Sequence, residues 1–141
     1  MGNSAQEAIE SFRRWSVAFN ARDTEGQIKE MHFPHLRLSQ KRFQLWETAD
    51  EFRVVQEKIS KLLKEEGWHH TASHSINPIQ IGDNKVHLAI RQSRQHEDGT
   101  EYNGFDTFWI FTKINGRWGV QFRSSFLKNT KATGLGSSRL H

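Results

Sequence analysis

Two arginines and one aspartate in the second half of the chain have residue types that suit the binding of an anion. They are Arg91, Asp106 and Arg123. A guanidinium offers parallel N–H groups to a carboxylate or phosphate, and two guanidiniums beside one carboxylate leave an excess of positive charge. If the three line a pocket, a small anionic organic ligand is predicted. If they lie on the surface, they form a cross-strand ion pair worth under about 1 kcal/mol.

His35 is the side chain best suited to move a proton, because an imidazole titrates close to neutral pH. A neighbouring carboxylate such as Asp106 could orient the ring for acid–base chemistry. We therefore name His35 and Asp106 as candidate catalytic residues, against the alternative that His35 is a hydrogen-bonded scaffold residue. His32 lies three residues earlier, but Pro34 falls between the two histidines and the chain has no cysteine. No metal site is predicted.

Three consecutive antiparallel strands are predicted to position the arginines and the aspartate. Their spans are Lys85–His96, Tyr102–Lys113 and Arg117–Phe126. Asp98-Gly99 and Asn115-Gly116 join them, and such pairs supply the positive φ angles of two-residue hairpin turns. The pairing register then follows by counting outward from each turn.

This register places Arg91 opposite Asp106, Asp106 opposite Ser125 and Phe108 opposite Arg123. Because side chains alternate between the faces of a sheet, these five residues share one face. The other face carries large apolar side chains, namely Val86, Leu88, Ile90, Phe105, Trp109, Phe111, Trp118, Val120, Phe122 and Phe126. One polar face and one aromatic face are therefore expected.

Three helices are predicted in the first half of the chain. Each begins with the S/T-x-x-E/Q spacing of a capping box, formed by Ser4 with Glu7, Thr24 with Gln27, and Thr48 with Glu51. Gly67 is expected to end the third helix, because glycine adopts the left-handed conformation without strain. The predicted fold class is α+β, with the helices against one face of a curved antiparallel sheet.

Length and charge limit the other classes of function. The 141 residues suit a single domain, which we place at residues 1–127, with a flexible tail at 128–141. Three of the four net positive charges come from that tail, so nucleic-acid binding is not predicted. The sequence contains no apolar run long enough for a membrane span, no recognisable signal peptide and no cysteine. A cytoplasmic location is expected.

Three stretches resemble the nuclear-transport-factor-2-like superfamily, which includes ketosteroid isomerases, SnoaL-like cyclases and the kinase association domain. Ala18–Asp23 is similar to the junction of the first two helices in ketosteroid isomerases. His74–Asp83 and Gly116–Trp118 are similar to strands of the association domain. The resemblance covers Ala5 to about Phe126.

The resemblance implies a cone-shaped fold whose curved sheet wraps around the helices and encloses an internal pocket. It also implies that the polar sheet face lines the pocket and that the aromatic face forms a homodimer contact. The ligand-binding residues expected on this basis are Trp15, Arg37, Arg91, Phe108, Gln121, Arg123 and Ser125. Trp15 and Ser39 stand where ketosteroid isomerases have a tyrosine and an aspartate, so steroid isomerisation is not expected.

The function expected from this resemblance is that of a SnoaL-like protein that binds a small polar or anionic molecule. An isomerase, dehydratase or cyclase that works by acid–base chemistry without a cofactor is one form of it. The alternative is a non-catalytic binding or oligomerisation module. A closed cavity with a perturbed carboxyl or imidazole group would favour the enzyme.

Overall fold

Helices and strands follow one another in the order α1, α2, β1, β2, α3 and β3 to β6. The structure is a computed structural model that describes residues 3–128. The helices are α1 (Ser4–Asn20), α2 (Thr24–Ile28) and α3 (Ala49–Glu65). The strands are β1 (Met31–Ser39), β2 (Arg42–Trp46), β3 (His70–Ile81), β4 (Lys85–Gln95), β5 (Glu101–Ile114) and β6 (Arg117–Ser125). The predicted α+β class is confirmed. The predicted tail lies almost entirely outside the described residues.

The helix ends follow the predicted signals only in part. Thr48 caps α3, since its hydroxyl accepts from the Glu51 backbone N–H at 3.3 Å. Gly67, at a φ of +82°, follows the end of the same helix as expected. In α2, by contrast, the cap is Asp23, whose carboxylate accepts from the Gly26 N–H at 3.0 Å. Thr24 is therefore the first residue of that helix rather than its cap.

The six strands form one sheet in the order β2-β1-β6-β5-β4-β3. Of the five neighbouring strand pairs, four are antiparallel, and β1 and β6 pair in parallel. The predicted antiparallel sheet is thus observed with one parallel pair in it. The parallel pair places Arg37 beside Arg123 and Ser39 beside Ser125.

Asp98-Gly99 and Asn115-Gly116 both lie in hairpin turns, but the first is a three-residue loop rather than the predicted two-residue turn, since the His96 N–H donates to the Thr100 carbonyl oxygen at 2.9 Å. A register shift between Arg94 and Gln95 compensates for the extra residue, so the predicted pairing of Arg91 is kept. Arg91 lies opposite Asp106, and β4 and β5 keep this register along most of their length. At the second turn Asn115 and Gly116 have φ angles of +53° and +78°. Such angles at both central residues are those of a type I′ turn.

A β-bulge in the β5–β6 pair changes the register beyond the second turn. Phe111 lies opposite Val120, as counted from the turn, but Ile110 lies opposite Phe122, so Gln121 is an extra residue. Ser125 therefore faces Thr107 instead of Asp106, and Arg123 faces Trp109 instead of Phe108. Because side chains alternate along a strand, one extra residue turns everything after it to the other face.

The aromatic face of the sheet packs against the helices of the same chain. Trp109 lies between Phe12 and Trp15 of α1, with ring centroids 4.9 and 4.8 Å away. Trp118 donates its indole N–H to Glu7 at 2.8 Å. The prediction that this face forms a dimer contact is therefore wrong, because α1 already covers it. No helix within residues 3–128 has the length and apolar character to cross a membrane.

Candidate functional site

A cavity of about 90 Å³ lies between the inner face of the sheet and helices α1 and α3. A cavity needs a volume of about 10–15 Å³ to hold one water molecule. This cavity is several times larger and therefore has room for a small organic molecule. Four of the predicted binding residues line it, namely Trp15, Arg37, Arg123 and Ser125. The main additional lining residues are Phe19, Gln27, Gln44, Trp46, Phe52, Gln56, Gln92, Arg94, Phe105, Thr107, Trp109 and Leu127.

Arg123 is held in the cavity wall by a buried histidine. Its Nε–H donates to Nε2 of His35 at 3.0 Å. The other ring nitrogen of His35, Nδ1, lies 3.1 Å from the carbonyl oxygen of Val120. Since Nε2 accepts, Nδ1 must carry the proton and donate to Val120. His35 is therefore neutral in this arrangement and aligns the guanidinium through one edge.

Burial lowers the pKa of His35 well below its usual value, and the nearby charge of Arg123 lowers it further. Both causes act against the imidazolium, which is costly to bury and repels the guanidinium. His35 does not belong to the cavity lining. Its predicted role as a proton carrier is untested, but its geometry is that of a residue that positions Arg123.

Two indoles lie against the guanidinium of Arg123. Its central carbon is 5.2 Å from the ring centroid of Trp15 and 5.5 Å from that of Trp109. Such cation–π contacts offset part of the cost of enclosing the charge. Even so, burial and then the charge of Arg37 lower the pKa of Arg123 well below its usual value. A negative charge in the cavity would relieve both effects.

Two further arginines line the cavity, and each has acceptors in the protein. Arg37 donates to Oε1 of Gln44 at 3.2 Å, and burial followed by the charge of Arg94 lowers its pKa to about 10. Arg94 donates to Oε1 of Glu66 at 2.7 Å. The same oxygen accepts from the Tyr102 hydroxyl at 2.6 Å; burial and this hydrogen bond raise the pKa of Tyr102.

Uncharged polar groups add an excess of hydrogen-bond donors to this wall. Among the described residues, no acceptor meets Nε1 of Trp15, Nε2 of Gln44 or Nε1 of Trp46. One acceptor, Oε1 of Gln27, likewise receives no hydrogen bond from these residues. All four side chains line the cavity. Buried polar groups are normally hydrogen-bonded, so a partner from outside the chain, such as a ligand or a water molecule, is expected for these atoms.

Three predicted site residues lie on the outer face of the sheet instead. Arg91, Asp106 and Phe108 line a shallow groove there. Nη1 of Arg91 is 3.5 Å from Oδ1 of Asp106, and the two side chains are 47% and 71% exposed. This geometry is that of the surface ion pair considered from sequence. Asp106 cannot orient His35, because the two residues are on opposite faces of the sheet.

Gln121, the extra residue of the bulge, lines neither the cavity nor the groove. Its amide donates to the carbonyl oxygen of Pro34 at 3.1 Å, and its Oε1 accepts from Thr112 at 3.0 Å. The predicted convergence of Arg91, Asp106 and Arg123 is therefore wrong. Arg123 and Ser125 point inward because the bulge reverses their face, whereas Arg91 and Asp106 precede it.

Sequence reasoning missed several lining residues. Gln92 and Arg94 continue the inward alternation of Leu88 and Ile90 along β4, so extending that count by two steps would have found them. Gln44 and Trp46 lie on β2, for which the sequence offered no prediction. Within residues 3–128, no cluster of three or more histidine, aspartate or glutamate side chains is arranged to hold a metal ion.

Comparisons with known proteins agree on the fold. The family model described as NTF2-like protein (DUF6841) matches residues 6–122. An NTF2-like protein of unknown function from Pseudomonas putida KT2440 superposes with a TM-score of 0.72 at 13% identity, over 100% of this chain and 99% of that one. No curated protein gives a significant match.

Two other solved structures extend this likeness. A protein of unknown function with a cystatin-like fold from Nostoc punctiforme PCC 73102 gives a TM-score of 0.71 at 12% identity, over 92% of this chain and 94% of that one. A ketosteroid isomerase-like protein from Erwinia carotovora atroseptica gives 0.64 at 11% identity, over 90% and 98%. At such identities the likeness concerns the fold alone.

Proposed function

We propose that this chain, which belongs to the NTF2-like family (DUF6841), binds a small anionic organic molecule in the cavity between its sheet and helices. The observation that carries the proposal is the state of Arg123. Its Nε–H is committed to His35, while neither terminal nitrogen donates to any of residues 3–128. No carboxylate in the described part of the chain forms a salt bridge with it. A guanidinium in a cavity wall with its terminal nitrogens in this state supports the binding of an anion.

Binding without catalysis is the form of this function that the cavity supports best. Among its lining residues within the described range, no carboxylate, imidazole, amine or phenol is present. General acid–base catalysis requires such a group within hydrogen-bond reach of the reacting atom. The two proposed proton carriers are elsewhere: His35 lies behind Arg123, and Asp106 lies on the outer face of the sheet.

Small molecules retained by the purified protein provide a direct test. We expect the full chain, denatured and extracted, to release one or a few organic acids detectable by negative-ion mass spectrometry. Arg123→Met should lose them, because it removes the charge while keeping an apolar side chain of similar length. Arg91→Met removes an arginine from the outer face and is the matched control.

The two variants separate a specific site from general retention of acids. Loss of the same acids from Arg123→Met alone supports the proposal. Identical extracts from the wild type, Arg123→Met and Arg91→Met, with both variants folded by circular dichroism, would refute it. If the extract contained two related acids whose ratio changed when the protein was incubated with them, the result would instead favour an enzymatic function.

A further inference from the structure

The free edge of Arg123 determines the shape of the charged group that the cavity accepts. Because Nε–H donates to His35, the two terminal nitrogens form the remaining edge of a planar guanidinium. Parallel N–H bonds from that edge match the two coplanar oxygens of a carboxylate. Trp15 and Trp109 both lie against the guanidinium and restrict its orientation, with their ring centroids 5.2 and 5.5 Å from its central carbon.

The other two arginines already donate hydrogen bonds within the protein, which fits a ligand whose charge lies on Arg123. Arg94 is engaged by Glu66 at 2.7 Å, and Arg37 by Gln44 at 3.2 Å. A tetrahedral dianion such as a phosphate ester would need donors from several directions, and a buried charge that lacks them is costly. One planar monoanion on Arg123 leaves the contacts of Arg37 and Arg94 intact.

The rest of the cavity suits a flat, unsaturated body. Six of its lining residues are aromatic, namely Trp15, Phe19, Trp46, Phe52, Phe105 and Trp109. Trp15 and Phe19 stack with an interplanar angle of 12°, and Trp15 and Trp109 meet edge to face at 90°. A ring added to such a cluster gains the same stacked and edge contacts, which a saturated body of equal size does not.

The unpaired N–H groups in the cavity wall would be satisfied by a hydrogen-bond acceptor on the ligand. Three lining side chains carry a buried N–H without an acceptor in residues 3–128, and only one carries a buried oxygen without a donor. The three donors belong to Trp15, Gln44 and Trp46. An ether, carbonyl or hydroxyl oxygen on the ligand can accept from one of them, whereas an additional N–H on the ligand would find fewer matches.

We infer that the ligand is a small aromatic carboxylate that carries a further oxygen acceptor. This inference rests on the proposed anion-binding function and narrows it to one chemical class. The carboxylate lies on the free edge of Arg123, and the ring packs among the indoles and phenylalanines. The further oxygen accepts from an indole or amide N–H of Trp15, Gln44 or Trp46.

Isothermal titration of the full chain with four matched probes tests each feature separately. The probes are 4-methoxybenzoate, 4-ethylbenzoate, 4-methoxybenzamide and 4-methoxyphenyl phosphate. We expect 4-methoxybenzoate to bind most tightly. Removal of the charge in the benzamide should weaken binding by about tenfold or more, since a charge-assisted hydrogen bond is lost. The near-isosteric 4-ethylbenzoate should bind more weakly, because it lacks the acceptor oxygen.

Titration also tests the need for a flat ligand ring and for the paired N–H groups of Arg123. Cyclohexanecarboxylate keeps the charge but loses the flat ring, and it should also bind more weakly than benzoate. Arg123→Lys keeps the positive charge but loses the two-pronged geometry, so it should weaken 4-methoxybenzoate by about tenfold. Arg91→Lys, on the outer face, should leave the affinity unchanged.

The outcomes separate the ligand class from the general function. Two results would overturn the ligand class but not anion binding, provided that Arg123→Lys still weakens the affinity. One is tighter binding of 4-methoxyphenyl phosphate than of 4-methoxybenzoate. The other is equal binding of cyclohexanecarboxylate and benzoate. Equal binding of the methoxy and ethyl probes would overturn the oxygen acceptor. Failure of every anion to bind, or affinities indifferent to Arg123, would overturn both proposals.

Discussion

His35 and Arg123 form a contact in which a histidine can act only as a neutral acceptor. Nε2 of His35 receives the Nε–H of Arg123 at 3.0 Å, and Nδ1–H is taken by Val120 at 3.1 Å. Protonation would place a second N–H against the guanidinium and bury another positive charge beside Arg37 and Arg123. Low pH should therefore disturb the same group that is proposed to hold the ligand.

The pH dependence of stability tests this contact. The pKa of His35 is lower in the folded chain than in the unfolded chain, mainly because of burial. As pH falls below about 6.5, the unfolded state gains a proton that the folded state does not accept, so the free energy of unfolding decreases. The decrease reaches at most about 1.4 kcal/mol per pH unit for one proton and ends at the folded pKa. Urea unfolding between neutral and acidic pH measures it.

His35→Gln isolates the contribution of this one imidazole. A glutamine side chain can donate to Val120 and accept from Arg123, but it does not titrate. We expect the variant to lose stability less steeply than the wild type as the solution is acidified. His69→Gln, which removes an exposed histidine, is the matched control. A slope in His35→Gln equal to that of the wild type would contradict the assignment.

At the scale of elements, the three predicted capping boxes are not equivalent. Thr48 caps α3 through its hydroxyl, whereas Thr24 lies inside α2 and Asp23 takes the cap. Loss of a capping oxygen typically costs about 1 kcal/mol. We expect Thr48→Ala to lower the free energy of unfolding by about that amount, measured by urea titration.

Thr24→Ala is the control for this prediction, because the two threonines stand in the same sequence motif. It should change stability by less than about 0.5 kcal/mol, as substitutions away from specific interactions do. Equal losses in the two variants would mean that the motif, rather than the observed cap, decides the helix start.

The local elements could be predicted from the sequence, but the register of the last strand could not. Glycine turns and capping signals are local, and they located β4 to β6, the start of α1 and both ends of α3 to within a few residues. The bulge at Gln121 depends on a distant strand, since Gln121 donates to Pro34 of β1. The alternation of Trp118, Val120 and Phe122 looks regular and hides it.

The candidate site was predicted in part for the same reason. The family resemblance predicted Trp15 and Arg37 as pocket residues, and both line the cavity. Their positions do not depend on the β5–β6 register, because both precede the bulge. Arg123 and Ser125 line the cavity, whereas regular alternation predicts them on the same face as Arg91 and Asp106. The parallel β1–β6 pair, which sets Arg37 next to Arg123, joins residues far apart in the chain. No local pattern reports such a pairing.

At the scale of the whole molecule, the aromatic residues form one core beneath the sheet. Phe111 is fully buried in it, whereas Phe126 is 71% exposed, although regular alternation predicted both on the same face. Phe111→Ala should cost about 3–5 kcal/mol, a large share of the roughly 5–15 kcal/mol that stabilises a domain. Thermal and urea unfolding measure the loss.

Phe126→Ala provides the comparison within the same experiment. We expect it to change the free energy of unfolding by no more than about 0.5 kcal/mol, because the side chain lies on the outer surface. A loss comparable with that of Phe111→Ala would mean that Phe126 is buried, for example against another copy of the chain. Sedimentation analysis of the wild type would then identify that assembly.

The extra residue at Gln121 also affects how relatives should be aligned. In a relative whose last strand lacks the bulge, an arginine placed in the same column as Arg123 would face outward, and its neighbour would face the cavity. A sequence alignment that ignores the bulge would then group proteins with an arginine in the cavity together with proteins whose arginine faces outward. The residue at position 121 should therefore be aligned before any inward-facing side chain of the last strand is compared.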